Sequence, residues 1–256
     1  MSVPDALFLF IAAVGGGVLN SVAGGGSFLT FPTLLFTGVP AIQANATSAV
    51  ALWPGSVAST IAYRREVLGL GKRIVPLSLV SILGGFLGAR LLLSTSQESF
   101  RALIPWLLLA ATVVFAFGSP LVARMRREKG GAAGSRGRLH RILVLGVQLV
   151  IAIYGGFFGG GIGILMLAAL TLFGMEDVQV MNGLKNWLAT CINGTAVVTF
   201  ILAGTVYWPQ ALVMLVGAVA GGYLGASTAR RLDPQIIRTF VLIVGTVLTI
   251  YFFVEG

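Results

Sequence analysis

The polar side chains that could meet a ligand gather around two glycine triplets. Asn20, Ser21, Ser27 and Thr30 surround Gly24-Gly25-Gly26, and Asn45, Thr47 and Ser48 open the apolar run that follows. About 135 residues later the triplet returns as Gly159-Gly160-Gly161. Beyond it, Asn182, Lys185, Asn186 and Asn193 fall largely along one helical stripe, which on an otherwise apolar helix should face a cavity. Consecutive glycines before a helix start leave backbone N–H groups bare and admit another group close to the main chain, which suits an anion at a helix N-terminus. Neutral amide and hydroxyl donors, two such termini and one lysine make a set fitted to an anion. No centre of an apolar run carries Asp or Glu, no His or Cys cluster has metal-ligand spacing, and no nucleophile has a base beside it. An enzyme, a bound cofactor and a cation carrier built on a buried carboxylate are therefore not expected.

These groups must be positioned by membrane helices. With 57% hydrophobic residues, 10% charged residues and a mean hydropathy of +0.96, the chain cannot present a soluble surface, and it reads as an all-α polytopic membrane protein surrounded by lipid. The net charge of +9 sits in short clusters between apolar runs, where it sets topology, so no nucleic-acid partner is expected. The single Cys191 lies within an apolar stretch, so no disulfide forms within the chain. Met1 to Asp5 lacks the basic start of a secretory signal, and the N-terminal segment is read as retained.

Ten apolar runs stand out, at about 6–22, 26–38, 44–63, 74–93, 99–118, 141–158, 161–174, 181–204, 208–229 and 235–254. The second and seventh are too short to span comfortably and read as broken or re-entrant half-helices after the triplets. The two halves are copies of one another: Gly84-Gly85-Phe86-Leu87-Gly88-Ala89 matches Gly221-Gly222-Tyr223-Leu224-Gly225-Ala226, and Asn45 to Ser48 falls opposite Asn182 to Lys185, both at an offset of 137. The expected organisation is a first repeat over 1–120, a basic cytoplasmic linker over 121–140 that includes His140, and a second repeat over 141–256. An odd number of runs per repeat inserts the two copies with opposite orientation. The Gly-x-x-x-Gly pairs at 84/88 and 221/225 are read as close helix packing.

Charge supports the inverted plan. With the N-terminus outside and all ten runs changing side or paired as hairpins, 15 of the 17 basic residues lie on the inner side, leaving only Arg90 and Arg101 outside. A plan of four crossings per half moves Lys185, Arg230, Arg231 and Arg238 outward and fits the positive-inside rule less well. Lys185 has two readings: it faces the cavity, or it snorkels to the interface or pairs with Glu176 or Asp177 near the end of its run.

The stretch from Gly24 to Pro32, the Ala44-Asn45-Ala46-Thr47-Ser48 opening, the Tyr63-Arg64-Arg65 turn, Gly84 to Ala89 and the second copies at Gly159-Gly160-Gly161 and Asn182 to Asn186 resemble the sulfite exporter TauE/SafE family. The likeness covers essentially the whole chain. It implies a bacterial or archaeal inner-membrane transporter of small sulfur-containing or organic anions, such as sulfite, sulfonates and sulfoacetate-like compounds. The competing reading of the same fold is an anion channel or passive permease. Direction, coupling ion and any homo-oligomer are left open by the sequence. Both termini are expected outside, so a reporter fused to the C-terminus should be silent if it works only in the cytoplasm; full activity there would overturn the inverted plan.

Overall fold

The computed structural model describes residues 1–22, 25–128, 138–228 and 234–255. Among them the chain is helical without a strand, in the order α1 (Val3–Val22), α2 (Ser27–Phe36), α3 (Ala41–Ala62), α4 (Arg64–Gly69), a 3-10 turn (Gly71–Arg73), α5 (Ile74–Ser94), α6 (Gln97–Glu128), α7 (Arg138–Phe157), α8 (Ile162–Leu172), α9 (Val178–Leu202), α10 (Trp208–Thr228) and α11 (Pro234–Glu255). Each of the ten apolar runs coincides with a helix. The short α4 carries Arg64, Arg65 and Glu66 and has too little apolar sequence to register as a run. Part of the expected linker is also helical: α6 continues to Glu128 and α7 begins at Arg138, so only 129–137 lies outside the described residues. His140 is not a solvated linker side chain; it sits on α7 with its ring edge-on to Phe173, centroids 5.6 Å apart.

Among the described residues, four helical segments are long and apolar enough to cross a membrane, at Val3–Asn20, Ile74–Ser94, Gln97–Gly118 and Leu139–Phe157. Their outward faces carry Leu79, Trp106 and Val150, each more than half exposed, a surface suited to lipid and not to water. Helices α3 and α9, with 22 and 25 residues, are long enough to span at about 33 and 37 Å, but each carries a polar stripe. At 10 and 11 residues, α2 and α8 reach only about 15 Å, half of a crossing.

Packing follows the internal duplication. Pairing α1 with α7, α2 with α8, α3 with α9, α5 with α10 and α6 with α11 turns the contact pattern into itself: α1 packs on α10 as α7 packs on α5, and α3 packs on α10 as α9 packs on α5. The self-related pairs α3·α9 and α6·α11 also touch. Each repeat therefore completes its first and third helices with the fourth helix of the other.

Glycine makes the exchanged seams. On α1·α10, a Cβ at Gly17 would fall on the Ala218 carbonyl oxygen and one at Gly221 on that of Val14; on α5·α7, Gly88 faces the Ile153 oxygen and Gly156 the Gly85 oxygen. Lipid supplies no hydrophobic drive for helices to associate, so backbones brought this near gain dispersion that any side chain would forfeit. Gly88→Val should overpack its seam and cost about 1–3 kcal/mol or more, read as a lower melting temperature and lower yield of monodisperse protein. Gly146→Val, at a site with nothing within 4 Å, is the control and should be tolerated. Equal tolerance of both would remove the seam argument.

Candidate functional site

A cavity of about 60 Å³ opens where α3 and α9 cross. A water needs about 10–15 Å³ in the same measure, so the space suits about four to six water-sized groups. Its wall takes Asn45, Ala49, Leu52, Ser56 and Ser59 from α3, and Lys185, Asn186, Ala189, Asn193, Ala196 and Phe200 from α9. Steps of three and four residues put each set on one helix face. The two stripes are copies, since adding 137 to 49, 52, 56 and 59 gives 186, 189, 193 and 196. Asn20 of α1, Ser27 of α2, Gly155 and Gly156 of α7, Phe158, Gly159, and Ile162 and Gly163 of α8 complete the wall. The crossing itself is fastened by Trp53 Nε1 donating to the Thr190 carbonyl at 3.2 Å and by the Thr60 and Thr190 hydroxyls at 2.8 Å.

The second triplet is a true break. Gly159 and Gly161 take left-handed φ of +82° and +76°, which side chains resist, ending α7 and starting α8. Tyr154 on α7 donates its hydroxyl to the Gly160 carbonyl at 2.7 Å, and Asn45 Nδ2 from α3 donates to the Phe157 carbonyl at 3.0 Å. These bonds satisfy carbonyls that a broken helix would otherwise leave bare in lipid. The N–H groups of Ile162 and Gly163 have no acceptor among the described residues, and both residues line the cavity.

The first triplet works differently. Gly25 and Gly26 do not take positive φ. They are needed for space: a Cβ at Gly25 would lie 2.7 Å from Phe115 Cζ, and one at Gly26 would lie 2.6 Å from the Gly16 carbonyl oxygen. Gly24 lies outside the described residues, and of Ser21 only the backbone, within α1, is described.

Of the residues singled out in the sequence, the cavity gathers Asn20, Ser27, Asn45, Gly159, Lys185, Asn186 and Asn193. Others lie off it. The Thr30 hydroxyl bonds the Gly26 carbonyl at 3.2 Å and the Ser48 hydroxyl at 2.6 Å, tying α2 to α3. Thr47 accepts from the Tyr207 N–H at 3.1 Å. Gly160 abuts Phe158 and Ala111, Gly161 lies beside Val114 and Phe115, and Asn182 is half-buried away from the wall. Ser56, Ser59 and the phenyl rings of Phe158 and Phe200 join the site without having been singled out. Ser56 was within reach, since it stands 137 residues before Asn193.

Among the described residues, Lys185 is the only charged side chain in the wall. It does not pair with Asp177, whose carboxylate caps α9 by accepting from the N–H groups of Gln179 and Val180. The side chains of Asn20, Ser27, Ser56, Lys185, Asn186 and Asn193 make no hydrogen bond or ion pair with any described residue. One cation and several unspent donors, with no carboxylate among them, face a single small space. Such an arrangement can desolvate and hold an anion, and it has nothing with which to activate a nucleophile.

The family described as Sulfite exporter TauE/SafE matches residues 9–252. A probable membrane transporter protein, ORF9, of Sinorhizobium sp is 30% identical over 245 residues, covering 95% of this chain and 90% of its own. A probable membrane transporter protein of Haemophilus influenzae is 28% identical over 249 residues (94% and 91%), and the probable membrane transporter protein YfcA of Escherichia coli K12 is 29% identical over 247 (94% and 87%). No solved structure matches the chain. A match running almost end to end, on helices whose outer faces suit lipid, leaves one assignment: this chain belongs to the sulfite exporter TauE/SafE family of membrane transporters, and is not an enzyme.

Proposed function

We propose that the protein is a secondary transporter of small sulfur-containing or organic anions, sulfite and short sulfonates foremost, in a bacterial or archaeal inner membrane. The observation that carries this reading is the cavity at the α3–α9 crossing, with Lys185 as its one charge and no carboxylate in its wall. A sulfonate or sulfite group offers three acceptor oxygens. The Lys185 ammonium, the amides of Asn20, Asn186 and Asn193 and the bare N–H groups of Ile162 and Gly163 are donors of matching number and kind. The apolar side, with Phe158, Phe200 and Leu52, accommodates the carbon of a short sulfonate.

Access alternates when the two related halves rock about the α3–α9 crossing, which lies on the relation between the repeats. The contact pattern, symmetric under exchange of repeats, supports the duplication, and the distribution of basic residues supports its inverted orientation with both termini outside. Phe158 and Phe200, both at most 5% exposed, fill the wall with rings in place of a water-lined path, which favours a carrier over a pore.

Purified protein in liposomes loaded with unlabelled sulfite should accumulate labelled sulfite by counterflow and saturate; a pore would do neither. Lys185→Met should weaken apparent affinity by about 1–3 kcal/mol, the range for a charged hydrogen bond, and Lys185→Arg should restore part of it. Unchanged affinity in folded Lys185→Met would take the lysine out of the site, and absence of counterflow with every anion tested would overturn the carrier reading.

A further inference from the structure

Helix α6 is not part of the cavity wall, yet it touches both glycine triplets from behind. The Phe115 ring, 2% exposed, lies with its Cζ 2.7 Å from where a Cβ on Gly25 would stand, and its Cδ2 3.8 Å from the same point on Gly161. It also meets Phe28, in the first turn of α2, edge-on with centroids 5.3 Å apart and planes at 85°. One turn earlier, Ala111 Cβ lies 3.4 Å from where a Cβ on Gly160 would stand. A single rigid ring thus braces the starts of α2 and α8, the two half-helices whose first residues line the cavity.

Two comparisons show that this contact is specific. Gly25 has no positive φ, so the backbone does not require glycine there; only the nearness of Phe115 does. The second repeat places Phe252 at the position 137 residues after Phe115, and that ring stacks on Phe36 at the far end of α2, centroids 6.3 Å apart and planes at 12°. Of two related phenylalanines, one reaches both triplets and the other lies at the opposite end of a half-helix.

We infer that Phe115 is a positioning residue that sets the separation of the α2 and α8 N-termini, and through it the size of anion the cavity accepts. The inference rests on the anion-carrier reading for its consequence and on packing alone for its mechanism. An aromatic ring has two side-chain torsions and little freedom once packed, so it holds a spacing better than an aliphatic chain does. Replacing it with Leu removes the atoms against Gly25 and lets the two starts shift, loosening the seat for a small anion more than for a longer one.

The experiment uses the full chain with Cys191→Ala as background and adds Gly25→Ala, Phe115→Leu and the pair together. Gly25→Ala alone should lower the melting temperature by roughly 4–8 °C, and the pair should recover at least half of that, because the new methyl then has room. In counterflow, Phe115→Leu should raise KM for sulfite while leaving KM for butanesulfonate unchanged or lower. Their ratio should shift about tenfold with maximal rate within about twofold. Additive melting losses, or KM and rate falling alike for every anion, would overturn the inference. If the parent protein carries none of these anions, the carrier reading falls instead. The role of Phe115 is then decided by thiol labelling of Ser27→Cys in ligand-free protein, about tenfold faster in Phe115→Leu if the ring holds the seat closed and unchanged if it does not.

Discussion

A helix broken inside a membrane leaves polar backbone groups that lipid cannot satisfy, and the architecture of this protein follows from covering two such breaks. At the second break the carbonyls are taken by Tyr154 and by Asn45, the latter reaching over from the other repeat. The N–H groups of Ile162 and Gly163 are left uncovered at the one place where a polar cavity meets them. At the first break the Gly25 carbonyl accepts from the Phe28 N–H at 3.1 Å and that of Gly26 from Leu29 at 3.1 Å, so the next helix begins at once. Donors that would be a liability in lipid instead line the cavity between α3 and α9.

The two repeats are alike in shape and unlike in charge. Four wall positions of α3 have their counterparts in the wall of α9 at an offset of 137, yet Ser48 on α3 corresponds to Lys185 on α9. Ser48 spends its hydroxyl on Thr30, whereas Lys185 keeps its ammonium for the cavity. Duplication supplied the scaffold twice, and only one copy carries the cation. In the proposed carrier, a rocking motion about this crossing would move an asymmetric charge, and the two access states would present the anion with different surroundings.

Most of the fold was legible in the sequence because membrane helices are written in long apolar runs, and all ten runs became helices. The exception, α4, is six residues of mixed polarity whose helicity depends on packing against α9. The site was legible in part. Asparagines and a lysine on an apolar helix have few other uses, and Asn45, Lys185 and Asn186 do line the cavity. Hydroxyls were harder to read, since Thr30, Thr47 and Ser48 can satisfy themselves on a neighbouring helix and do. The triplets mislead for a deeper reason: the approach of a ligand and the approach of a phenyl ring demand the same absent Cβ. Only coordinates separate Gly25, which makes room for Phe115, from Gly159, which turns the chain at the cavity wall.

The glycine seams that join α1 to α10 and α5 to α7 also bear on how the chain is made. The partner of α5 follows about 65 residues later, but that of α1 emerges only some 200 residues on, a wait on the order of 10–40 s at ordinary translation rates. Through that interval the first helix has a face of bare backbone, shaped for a neighbour that has not been synthesised. Lipid tails or the insertion machinery must occupy it and then yield. Assembly therefore closes late in synthesis, with the N-terminal helix kept waiting longer for its main partner than α5 for its own, and a truncated chain ending before α10 is left with an open seam.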